Sequence, residues 1–407
     1  MDTITIISLL IIMSTLFSYI NKQWIKLPGT IGVMGMSMLV SVVILILGKI
    51  GNQKNNFITS LAASIDFSKV LLDLMLGFLL FATALHFDYK KLRELRRPVI
   101  FLSTLGVLIS TIIFGCILWG LPVLFKRNIP PIYCFIFGAL ISPTDPIAVA
   151  AILKQSKISP RLETIIAGEW LFNDAVGLVA FVTLLDIPNE NTPDFTWGRT
   201  IGMFTREVIG GIGLGLILGY VGYRLIKSIR DVQIIFLISL SLVLGASILA
   251  GKFHFSVPLC VVSAGLLIGN MNFGKGHPAL RFLNQIWKLL DDVLNTILFV
   301  LIGLQLVLMP SLNNYWFIGL LSIAAILIAR MASVSLPAIV LIRNINFGSL
   351  TILTWAGLRG GISVAMALSL PPSPYREVII SSCYFIVVFS VIVQGLTLNK
   401  VIQNAHQ

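Results

Sequence analysis

Runs of about twenty apolar residues recur along this chain almost without a break, and no other feature restricts its fold so strongly. In lipid every backbone N–H and C=O needs an internal partner, which leaves helices and closed barrels as the only spanning structures. Runs of this length match the span of a membrane helix. Thirteen can be drawn, at roughly 3–20, 31–48, 70–87, 98–119, 132–153, 163–185, 207–225, 232–251, 253–270, 287–308, 316–341, 349–370 and 377–398. They predict an all-α polytopic membrane protein of about 13 helices. The weakest division is Gly251-Lys252-Phe253-His254, and fusing the two runs there gives twelve. Apolar residues make up 57% of the 407 and charged residues 11%, against about 45–50% and about 25% in soluble domains. The membrane part is therefore expected to be the whole protein. The first run carries Asp2 and lacks a basic leader and a small-residue cleavage site, the pattern of a retained helix.

Connector charge sets the orientation. With the N-terminus outside, 18 Lys and Arg residues fall on the inner side, including the cluster Lys90, Lys91, Arg93, Arg96 and Arg97, and 9 fall outside; Arg330 and Arg359 lie within runs. The acidic connector with Asp186, Glu190 and Asp194 is then external. The expected location is the cell membrane, N-terminus outside and C-terminus cytoplasmic. A net charge of +12 could point to nucleic acid, but the basic residues are scattered over inner loops and suit anionic lipid headgroups. No nucleic-acid partner is expected. Cys116, Cys134, Cys260 and Cys383 show no paired spacing and read as small core residues. The four histidines are too dispersed for a metal site.

Ionisable groups inside the runs are costly and therefore candidates for function. The fifth run contains Ser142-Pro143-Thr144-Asp145-Pro146. Both prolines lack an N–H and bias the preceding residue away from helix, so the helix is expected to be interrupted between them. Unwound backbone at that depth has to be buried or line a cavity, which would offer free carbonyls, the Thr144 hydroxyl and the Asp145 carboxylate to a cation. The other reading is a proline kink with Asp145 capping the second half-helix. The sixth run holds Glu169, Asn173 and Asp174, with Glu169 and Asn173 on one helical face and Trp170 and Asp174 on the adjacent one. Arg330 and Arg359 are the basic residues in later runs. Charge balance suggests that one carboxylate is permanently paired while another exchanges its counter-ion.

Taken in order, Thr144-Asp145-Pro146, Gly168-Glu169, Asn173-Asp174, Arg330 and Gly357-Leu358-Arg359-Gly360-Gly361 make the chain resemble the first family of monovalent cation:proton antiporters, which includes bacterial sodium/proton antiporters and sodium/proton exchangers. The resemblance implies two inverted six-helix repeats whose fifth and twelfth helices are interrupted and cross. It implies a platform and dimerisation domain of residues 1–95 and 230–310, an ion-transporting core of 96–186 and 311–407, and a linking helix at 205–229. Gly211, Gly215 and Gly219 within that helix read independently as a packing seam. It further implies electroneutral exchange of sodium, or lithium or potassium, for protons by alternating access, in a homodimer surrounded by lipid. Asp174 would hold cation and proton in turn, with Asp145 and Thr144 completing the site and Asn173 beside it. Glu169 would pair with Arg330, and Arg359 would neutralise helix ends at the twelfth-run break. Where relatives carry Ser after the Glu, this chain has Trp170, which reads equally as a residue that reshapes or seals the cavity and as a packed aromatic. Near Ala82 it lacks an acid found in relatives, and Asp73 reads as interfacial.

No nucleotide or cofactor motif occurs, so neither a cofactor nor an enzymatic reaction is expected, and transport would be driven by ion gradients. A cation channel or ion-binding sensor of the same fold is the alternative. An intramembrane aspartyl protease is a remote one: neither aspartate sits in a Gly-x-Gly-Asp setting, and the Pro-Ala-Leu at 278–280 falls in a connector.

Overall fold

The structure, a computed structural model, describes residues 3–51, 66–120, 129–145, 149, 158–187, 197–274, 277–309, 312–341 and 347–405. Among these every regular element is helical. In chain order the helices are α1 (Thr3–Ile20) and α2 (Gly29–Gly51), then α3 (Phe67–Leu85), the short α4 (Tyr89–Glu94) and α5 (Arg96–Trp119). Next come α6 (Pro131–Ile141), α7 (Pro160–Leu185), α8 (Trp197–Ser228), α9 (Val232–Lys252) and α10 (Val257–Asn270). The C-terminal part holds α11 (Ala279–Gln305), α12 (Leu312–Leu341), α13 (Phe347–Trp355), α14 (Gly361–Leu368) and α15 (Arg376–Ala405). Ten segments of the described residues are long and apolar enough to cross a membrane, while α6 and α10 are shorter apolar helices. Each of the thirteen apolar runs contains helix. Pro146, Lys154, Lys157, Glu190, Asp194 and His406 lie outside the described residues.

Local chemistry starts and stops these helices where the sequence signals it. The Ser159 hydroxyl accepts from the Leu162 N–H at 3.3 Å with Pro160 in the first turn, and Asp231 accepts from Gln233 and Ile234 at 2.9 and 3.2 Å. Such caps satisfy N–H groups that have no partner within the helix. The weakest division is a true break: α9 ends at Lys252, His254 takes a left-handed φ of 56°, and Ser256 caps α10.

Two apolar clusters organise the packing. The larger runs through α2, α5, α6, α11, α12, α14 and α15. The second gathers α3, α8, α9, α10 and α11 around Trp287, which is fully buried, lies 4.6 Å from the Phe81 ring and donates to Ser239 Oγ at 3.0 Å. Helix α8 lies on α10 along its glycines: a Cβ at Gly215 would collide with the Cys260 carbonyl, and one at Gly219 would come within 2.9 Å of the Ala264 Cα. The seam is thus a backbone-to-backbone approach that only small residues permit. Of the cysteines, Cys134, Cys260 and Cys383 are buried, Cys116 is exposed, and all four are free. Asp73 is exposed, and Ala82 is buried with no charge beside it in the sequence.

Candidate functional site

Helix α6 stops at Ile141, and Ser142 to Asp145 continue as non-helical backbone. The C-terminal chain breaks likewise between α13 and α14, where residues 356–360 are non-helical and Gly360 is extended at φ −131°, ψ −155°. The two breaks are bonded to each other. The Asp145 N–H donates to the Leu358 carbonyl at 2.7 Å, and Arg359 Nη1 donates to the carbonyls of Ser142 and Pro143 at 2.9 and 3.1 Å. Arg359 thus caps the C-terminal end of α6, placing its positive charge where the helix dipole is negative and carbonyls lack partners. The sequence put Arg359 at the twelfth-run break; its hydrogen bonds go across to the fifth.

The unbroken α7 passes beside this crossing and contributes the acids. A Cβ at Gly177 would overlap the Pro143 ring, so glycine lets α7 approach the first break. Glu169 is wholly buried, and both its oxygens are taken by Arg330 of α12, with Nη2 to Oε2 at 3.0 Å. Arg330 Nη2 also donates to the Leu353 carbonyl at 3.2 Å. This bidentate ion pair is the geometry that makes burial of two charges tolerable. One turn on, Asn173 Nδ2 donates to Thr144 Oγ1, while Asn173 Oδ1 is buried without a hydrogen-bond partner. Asp174 is 5% exposed and Asp145 8%. Among the described residues Asp174 accepts no hydrogen bond and forms no ion pair, and the charges acting on it are those of Asp145 and Arg359.

Thr144, Asp145, Asn173, Asp174 and Arg359 therefore meet at one point, and Glu169 with Arg330 forms a separate neutral pair beside it. Trp170 lies 4% exposed in an apolar cluster with Val149, Ile166, Leu353 and Leu358, its Nε1 without a hydrogen-bond partner. It walls the crossing on one side with apolar surface. The reading of the residues missed two participants. The Leu358 carbonyl carries no side-chain signal at all. Gly360 was read only as part of a glycine-rich break, although its Cα faces the Asp145 carboxylate so closely that a Cβ would overlap it. Chemically, the site has oxygen donors of hard character, a match for a small cation or a proton.

Residues 11–403 match the family model described as the transmembrane sodium/hydrogen exchanger. Among curated proteins the chain is similar to the Na(+)/H(+) antiporter NhaP of Pseudomonas aeruginosa, 38% identical across 98% of this chain and 96% of that one. It is also similar to the Na(+)/H(+) antiporter NhaH of Halobacillus aidingensis, 31% identical across 83% of each. Among solved structures, the sodium proton antiporter MjNhaP1 from Methanocaldococcus jannaschii shares the fold with a TM-score of 0.77, at 18% identity over 99% of both chains.

Proposed function

Because the chain belongs to the sodium/hydrogen exchanger family, we propose that it is a secondary, electroneutral sodium/proton antiporter in which Asp174 holds a cation and a proton in turn. The observation that carries this reading is the charge count at the crossing. Glu169 and Arg330 cancel; among the described residues the cation acting on Asp174 is Arg359, whose hydrogen bonds go to backbone carbonyls, and Asp145 adds a second negative charge beside it. With both aspartates ionised, one negative charge is left in a buried place, where an uncompensated charge is costly. One monovalent cation or one proton neutralises it, and one or the other has to be present while the site crosses the membrane. Exchange is therefore obligatory and one for one.

In this proposal Asp174, Asp145 and Thr144 ligate the cation, with Asn173 Oδ1 as a further oxygen. Glu169, Arg330 and Arg359 hold the ligands in register, and Trp170 shapes the cavity wall. The site residues come from the break after α6, from α7 and α12, and from the α13–α14 break, all within the proposed core of 96–186 and 311–407. That core would rock against a platform of 1–95 and 230–310, joined through α8, in alternating access. The cluster around Trp287 draws most of its members from that platform. A homodimer through the platform, contact with anionic lipid at inner loops, an outer N-terminus and a cytoplasmic C-terminus complete the proposal.

The stoichiometry is tested in proteoliposomes loaded with a pH dye and given a sodium gradient, with the membrane potential clamped by potassium and valinomycin or left free. Equal initial rates in both conditions are expected. A rate that changes several-fold with the clamp would mean net charge movement and a different count of exchanging groups.

A further inference from the structure

Helix α11 carries a polar stripe that the proposed exchange site does not use. Asn295 is 4% exposed; its Nδ2 donates to Asp291 Oδ1 at 3.0 Å, and its Oδ1 is buried without a hydrogen-bond partner. Asp292, beside Asp291, is exposed. A buried amide oxygen left without a donor is rare in folded proteins and calls for an occupant. The same helical face continues upward: Asp291, Asn295, Leu298 and Ile302 are spaced four, three and four residues apart. Leu298 and Ile302 press on Gly361 so closely that a Cβ there would meet both. Gly361 adjoins Gly360, which abuts the Asp145 carboxylate. Asn295 thus stands one helical turn, about 4.5 Å of axial rise, below the residue that touches the break. Asp291 is half-buried, twelve residues into α11 and four into the 287–308 apolar run, at the end of that run that the proposed topology places inside.

We propose that Asp291 and Asn295 form a transient cation station on the route between the inner solution and the crossing, the Asp291 carboxylate and the Asn295 carbonyl oxygen taking a partly dehydrated monovalent cation before Asp174 does. The inference rests on the antiport reading above. A station on one side of the main site changes how readily cation is gathered from that side and leaves the exchange step itself alone.

The test is sodium-dependent proton movement by the full chain in vesicles of the two orientations, for the unaltered protein, Asp291→Asn and Asn295→Leu. For both variants the KM for sodium presented at the inner face should rise about tenfold, the scale of one lost ionic contact. The KM at the outer face and the maximal rate should stay within about twofold, a change too small to count as a lost contact. A purely structural role would lower the maximal rate from both faces; that outcome, or an unchanged inner KM in Asp291→Asn, would overturn the station. If the unaltered protein moved no protons with sodium, the antiport reading itself would fall along with it.

Discussion

At the scale of single residues, the site depends on which charges already have permanent partners. Arg330 holds Glu169 with Nη1 and Nη2, so neutralising either partner leaves a buried charge uncompensated, at a cost of roughly 3–5 kcal/mol. Glu169→Gln and Arg330→Gln should each lower the melting temperature in detergent markedly, and the double variant should be milder than the sum of the two; strict additivity would contradict the pairing. Gly360 makes a different prediction. Its backbone is ordinary extended chain, so alanine there meets no conformational penalty, only the Asp145 carboxylate in the space its methyl needs. Gly360→Ala should stay folded and monodisperse while losing at least about tenfold in exchange rate, since a misplacement of about 1 Å at a reacting group has that scale of effect. Normal activity would mean that Asp145 does not need its present position. The acids and arginines were legible in the sequence because charges inside apolar runs are expensive. The Gly360 contact was not, because a glycine in a break records only that the chain turns there.

At the scale of elements, two broken helices and one unbroken one make the site. The first break was readable from Pro143, which cannot donate to a helix, but the partner of that break was not. The bond from Asp145 N–H to the Leu358 carbonyl joins residues far apart in the chain through backbone atoms, and backbone atoms leave no trace in residue type. Helix boundaries were readable only where a cap marks them. Ser159 and Pro160 mark the start of α7, whereas α8 and α11 start about ten and eight residues before their apolar runs, because helix continues beyond the runs on amphipathic residues that an apolar count omits. The glycine seam of α8 was legible as spacing, and the structure supplies its partner, α10. Gly215→Val would force these backbones apart and should destabilise the protein by about 1–3 kcal/mol, the usual cost of overpacking, measured as a shift of the thermal transition. Since the seam lies outside the crossing, protein that survives should retain its KM for sodium. A valine tolerated without any shift would contradict the close approach.

At the scale of the whole molecule, membrane residence, helical fold and family all followed from the run pattern and the ordered motifs, because a lipid environment leaves so few architectures open. What the run pattern could not supply is the charge balance of the assembled site, which depends on Arg359 arriving from the far end of the chain at the α6 terminus. In the proposed mechanism that balance turns a cation-binding cavity into an obligatory exchanger, and it centres on Asp174. The most direct measurement is intravesicular pH in proteoliposomes holding an imposed proton gradient, challenged in turn with sodium, lithium and potassium, for the unaltered protein and Asp174→Asn. The account predicts that sodium dissipates the gradient through the unaltered protein and that Asp174→Asn, folded and present at equal density, leaves it intact with every cation. Exchange by Asp174→Asn at a rate near that of the unaltered protein would contradict it.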